Sequence, residues 1–155
     1  MQTGTTAPLS PDKILFAAWA LFFQVVLIVH FALRKWAFDR YIYRYGWIVY
    51  ALGVPAAAIS LILLLRGRTW SLWLGGFVYL VWAIYGYTVE YLLRIPWRTP
   101  PRWPILGPYL LLYLSTVMFY WWPLGLVRRP LWYAYAALFA ISTFINITSH
   151  RGPAG

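Results

Sequence analysis

The chain has 155 residues, of which 63% are apolar and 10% charged, whereas a soluble domain carries about 25% charged residues. That shortage excludes a fold with a polar face turned to water on all sides, and the length allows one domain. Thirteen basic residues oppose three acids, for a net charge of +10, and the absence of cysteine excludes disulfides, thiol catalysis and cysteine-held metal or iron–sulfur centres.

The charges fall between long apolar runs. Ile14–Leu33, Trp47–Leu65, Ile105–Val127 and Leu131–Ser149 hold 20, 19, 23 and 19 residues without a formal charge. Trp70–Leu93 holds 24 and carries one, Glu90. A helix needs about 20 apolar residues to cross a bilayer. A charge at its centre costs roughly 2.5–3.5 kcal/mol. The sequence therefore predicts an all-α polytopic membrane protein, a single bundle of five transmembrane helices over about 14–33, 47–65, 70–93, 105–127 and 131–149, located in an inner membrane of the bacterial or archaeal type. Basic residues at the boundaries suit anionic lipid head groups. Membrane lipids are thus expected partners, and nucleic acid is not, because no soluble basic face exists to hold it.

In chain order, residues 1–11 form a polar tail expected to be disordered. Ser10-Pro11-Asp12 then reads as a helix start: a capping residue, a proline at the first helical position and an acid near the positive end of the dipole. No basic segment precedes the first run, which reads as a retained helix. The first connection, Arg34–Gly46, is basic and aromatic and suits a turn or short helix on the head groups. In the second helix Gly53 and Ala57, and Ala56 and Ser60, stand four apart, the spacing of close helix packing. Gly75, Gly76 and Gly86 offer similar surfaces on the third helix, and Pro55 predicts a kink in the second. Arg66–Thr69 and Arg128–Pro130 are tight turns, and the tail 151–155 is too short to fold.

The connection Arg94–Pro104 has four prolines and is expected to be stiff and non-helical. Arg94, Arg98 and Arg102 with Trp97 and Trp103 form a candidate head-group site there, the guanidinium groups facing phosphate and the indoles anchoring at the boundary. Setting topology is the simpler role. Short turns make neighbouring helices antiparallel. One side then carries Arg34, Lys35, Arg40, Arg44, Arg94, Arg98, Arg102 and Arg151, and the other Lys13, Arg66, Arg68, Arg128 and Arg129. The positive-inside rule puts the first set in the cytoplasm and the N-terminus outside.

Polar groups inside the runs are the best functional signal, because lipid makes them costly. His30, Glu90 and Asn146 each stand three residues before the end of a run that travels toward the same side. At 1.5 Å per residue each lies about 5 Å inside the boundary. Tyr50, Tyr109 and Tyr113 enter from the same side, and Tyr87 flanks Glu90. These placements make Tyr50, Tyr87, Tyr109, Tyr113 and Asn146 candidate ligand-binding residues, and His30 and Glu90 a candidate acid–base pair. Gln24, midway along the first helix, joins the ligand set; its amide otherwise calls for a Ser or Thr on another helix. Glu90 and Arg94 are also spaced for an ion pair one helical turn apart. Tyr79, Tyr85 and Tyr113 lie too deep for an aromatic belt at the head groups.

No cofactor is expected. Two axial histidines for haem would have to be His30 and His150, and His150 lies beyond its helix. No metal site is expected, since too few ligands exist for zinc. The sequence thus favours a small membrane protein that binds a lipid, quinone or similar lipophilic molecule in a Tyr/Trp-lined bundle. It would act alone or as a subunit of a homo- or hetero-oligomer. The alternative is an intramembrane enzyme on a lipid-like substrate that uses His30 and Glu90.

Overall fold

The computed structural model describes residues 8–97 and 100–149. The described residues form α-helices and no strands, and five helical spans are long and apolar enough to cross a membrane. They are α1 (Pro11–Trp36), the pair α3 (Ile48–Ala51) and α4 (Gly53–Leu65), α5 (Trp70–Tyr87) with a following π-turn (Thr88–Leu92), α6 (Trp103–Val127) and α7 (Arg129–Ser149). An eight-residue helix, α2 (Phe38–Tyr45), occupies the first connection. The chain is an integral membrane protein by these dimensions.

Local chemistry explains where the helices start and break. Pro11 opens α1, where its missing N–H leaves nothing unmet. Ser10 holds the cap position without a side-chain bond, and Asp12 does more than face a dipole. Its buried carboxylate takes Arg66 at 2.5 Å and Arg68 at 2.6 Å, which ties the start of α1 to the α4–α5 turn. All three residues sit at one membrane boundary, so two guanidinium groups neutralise an acid that the turn partly covers. The kink expected at Pro55 is instead a break at Leu52, between α3 and α4. A proline ring collides with the carbonyl four residues back, here that of Ala51, so the disturbance falls upstream of Pro55 itself.

The helices pack in the circular order α4, α5, α6, α7, α1. The seam between α4 and α5 is built of small residues. Gly76 lies against the Ala56 carbonyl and the Ser60 hydroxyl, and a Cβ on Gly53 would stand 2.7 Å from that of Ala83. The spacing read in the second helix thus serves close approach, through Gly53, Ala56 and Ser60; Ala57 is only half-buried.

The centre of the bundle is aromatic. Trp82 is the hub, with Tyr50, Tyr79 and Tyr113 each 5.6 Å from it between ring centroids and Tyr109 at 5.7 Å. Phe23 continues the cluster from Tyr79, at 4.7 Å, to Tyr120, at 5.2 Å. The deep tyrosine hydroxyls find backbone carbonyls across helix interfaces: Tyr79 donates to Val49 at 2.6 Å and Tyr85 to Ile105 at 3.0 Å. A phenol needs a partner in a medium without water, and a carbonyl on a neighbouring helix supplies it. Among the five spans α7 is the least buried, and its Phe144 and Ile147 face lipid.

Candidate functional site

The polar groups near the ends of α1 and α5 separate into two sets. The first is built by the end of α5. After Tyr87 the helix widens into the π-turn, closed by the Leu93 N–H on the Thr88 carbonyl at 2.8 Å. Arg94 then takes a left-handed φ of 50°, and the helix stops. The widened turn re-aims Glu90. It does not pair with Arg94, which is exposed and makes no ion pair among the described residues. Instead the Tyr50 hydroxyl donates to Glu90 Oε2 at 2.7 Å. The Tyr109 hydroxyl lies 3.2 Å from that of Tyr50. The α-helical spacing that suggested an ion pair fails because this turn is not α-helical.

Three neighbours hold Tyr50 in place. Gly86 leaves room for its ring, since a Cβ there would fall on the ring atoms. Tyr91 packs edge-on against it at 6.2 Å and donates to the Ile42 carbonyl at 2.9 Å, so the π-turn also fastens α2. Trp82 closes the third side. Beside this set runs a lateral groove of about 420 Å³ between α3–α4 and α5. Trp47, Tyr50, Val54, Ile84, Tyr87 and Thr88 line it, and Tyr87 stacks on Tyr91 at 5.4 Å. The result is a mostly apolar trough on the membrane side of the bundle, with the Tyr50 and Tyr87 phenols and the Thr88 hydroxyl in its lining; Glu90 does not line it and meets it only through Tyr50.

The second set is separate. His30 Nδ1 is 2.9 Å from the Tyr41 hydroxyl of α2, and both residues line a different groove. That groove uses Ile48, Val49 and Leu52 of the α3 segment, whereas the first uses Trp47, Tyr50, Ala51 and Val54. His30 and Glu90 thus serve different faces of the same short helix, and the fold gives them different phenol partners.

The other expected site residues divide in the same way. Tyr113 is buried between Phe31 and Trp82, and Tyr109 lies against Trp97 at 4.7 Å; neither lines the Tyr50–Tyr87 groove. Aromatic rings pack around Trp82 at the centre of the bundle. Gln24 is fully buried and donates to Ser142 on α7 at 2.6 Å, while Ser142 donates to the Phe139 carbonyl. Its amide is used between helices. Asn146 is half-buried near the end of α7, which packs on α1. Arg102 and Trp103 are exposed at the start of α6, as a head-group contact requires. Trp97 departs from that expectation: it is 3% exposed and packs on Tyr109 as part of the bundle. Arg98 lies outside the described residues.

Sequence reasoning missed Tyr41 and the Asp12–Arg66–Arg68 cluster. For Asp12 a signal existed, since the topology put one acid and two bases at the same boundary. For Tyr41 none did, because its meeting with His30 depends on the direction in which the chain turns after Trp36. Comparison of the chain with known protein families, with curated proteins and with solved structures gives no match.

Proposed function

We propose that this chain is a membrane binding protein that takes a lipophilic molecule sideways from the bilayer into the groove between α3–α4 and α5. The molecule is a lipid, a quinone or a similar amphiphile, and the chain acts alone or as a subunit of a membrane complex. The observation that carries this reading is an apolar lateral trough with the Tyr50 phenol in its lining, held from behind the groove wall by Glu90 and Tyr109. Binding sites for small molecules combine apolar walls with a few fixed polar groups in this way. The Tyr87 and Thr88 side chains border the trough and supply hydroxyls for a polar end. Tyr50 keeps its orientation because it is bonded within the protein.

A catalytic reading has one observation in its favour: a carboxylate on a π-turn at 2.7 Å from a phenol is within reach for proton transfer. Such chemistry would use Glu90 with Tyr50 rather than with His30, which is engaged by Tyr41. Binding asks for less and accounts for the same geometry.

Trp47 provides the test, because it is exposed and lines the groove. Decylubiquinone added to the detergent-purified protein is expected to quench tryptophan fluorescence saturably. Trp47→Phe removes most of the saturable part. Val54→Phe, which fills the trough from an exposed position, shifts saturation to higher probe concentration. Quenching that rises linearly and identically in all three proteins would contradict the proposal.

A further inference from the structure

The groove at His30 is the larger of the two, about 760 Å³, and opens between α1 and the α2–α3 segment. Phe22, Val25, Val29 and Leu33 form its α1 wall, with Val49 and Leu52 opposite. From Phe22 to Leu33 the trough follows about 16 Å of helix at 1.5 Å per residue. Its floor and walls are apolar, and its polar lining gathers at Arg40, Tyr41 and His30.

That end is positively charged. Arg40 is exposed, lines the groove and makes no ion pair among the described residues. Arg44 is exposed and lies over the Tyr45 ring, another lining residue. The connection carries Arg34, Lys35, Arg40 and Arg44 against one acid, Asp39, whose side chain lies outside the described ones. Helix α2 is fixed across the groove end rather than free to swing. The Ala37 N–H holds the Leu33 carbonyl at 2.8 Å, His30 engages Tyr41, and the Tyr91 hydroxyl holds the Ile42 carbonyl.

We infer that this groove is a binding site for an anionic phospholipid. One acyl chain lies along α1, and the phosphate is held by the Arg40 guanidinium and the Tyr41 hydroxyl. A neutral lipid gives Arg40 no negative partner, and a zwitterionic one offers the phosphate but brings a cationic ammonium group to the same basic end. A guanidinium bonds phosphate through charge-assisted, paired contacts. A second copy of the chain is a poor occupant, because it would bring another protein of net charge +10 to a basic surface. The site is independent of the Tyr50–Tyr87 groove and uses the opposite face of α3.

Native mass spectrometry of the delipidated full chain with dioleoyl phosphatidylglycerol or dioleoyl phosphatidylcholine tests it. Wild type is expected to hold phosphatidylglycerol about tenfold more tightly, because both lipids offer the phosphate but only phosphatidylcholine brings an ammonium group to the basic end of the groove. Arg40→Gln weakens phosphatidylglycerol more than phosphatidylcholine and so reduces that preference to about twofold or less. Val29→Trp fills the trough and loses both lipids, with Val25→Trp as a second blocking variant; both positions are exposed, so the bundle tolerates them. Val54→Phe, in the other groove, leaves the preference intact. Equal retention of the two lipids by wild type overturns the inference. So does an undiminished preference in Arg40→Gln, or a dimer that Val29→Trp abolishes.

Discussion

Gly76→Ala is expected to destabilise the bundle by about 3 kcal/mol or more, at or beyond the upper end of overpacking costs. The added methyl group would enter the Ala56 carbonyl and the Ser60 hydroxyl, and the Ala56 carbonyl carbon would stand only 2.9 Å away. Backbone cannot rotate aside as a side chain can. The turn Arg66–Thr69 and the bonds from Arg66 and Arg68 to Asp12 also keep α4 and α5 from sliding apart. Gly107→Ala is the matched control. Nothing lies within 4 Å of a Cβ there, so it is expected to be neutral or to stabilise α6 by roughly 0.5–1 kcal/mol. Unfolding followed in detergent separates the two, and equal stability of both variants would mean that α4 and α5 are not packed backbone to backbone.

Trp82→Ala is expected to cost about 2 kcal/mol, less than the roughly 3–5 kcal/mol of a large aromatic truncation in a soluble core. The difference lies in the solvent. In lipid the separated helices still keep their apolar side chains out of water, so the transfer contribution largely disappears and lost contacts remain. Those contacts are many, because four tyrosine rings surround Trp82. Trp82→Phe is expected to cost below about 1 kcal/mol. The indole Nε1 has no hydrogen-bond partner among the described residues, so its removal also removes a buried unmet donor and offsets part of the lost volume. Thermal unfolding checks the order Ala, then Phe, then wild type; a Trp82→Ala protein as stable as wild type would contradict a packed aromatic centre.

Those results bear on what the amino-acid sequence could reveal. The five spans are legible because hydropathy acts over 20 residues at a time, and no local detail reverses it. Helix contacts between small residues are legible in part, since Gly53, Ala56 and Ser60 stand four or three apart on one face. Gln24 announced its need for a Ser or Thr, and Ser142 meets its amide N–H, while Oε1 has no partner among the described residues. A depth argument likewise put Tyr50, Tyr109 and Glu90 at one level, and the structure bonds them. What depth could not supply is azimuth. His30 stands at the same level as Glu90 by counting, but α2 and α3 come between them and give each a different phenol. The π-turn was invisible as well, because no residue type marks it, and it undoes the spacing that favoured Arg94 as the partner of Glu90. Trp97 followed the usual rule for interfacial tryptophan until the proline-rich connection folded it back onto Tyr109.

The lateral groove at Tyr50, rather than a cavity inside the bundle, is the central claim about function. Photolabelling with a long-chain alkyl diazirine in lipid nanodiscs, followed by peptide mapping, tests it directly. Adducts are expected to concentrate on Val54, Ile84 and Tyr87, well above Phe144 and Ile147 on the open face of α7, and to fall in Val54→Phe. Even labelling of every lipid-facing helix, unchanged by Val54→Phe, would contradict it.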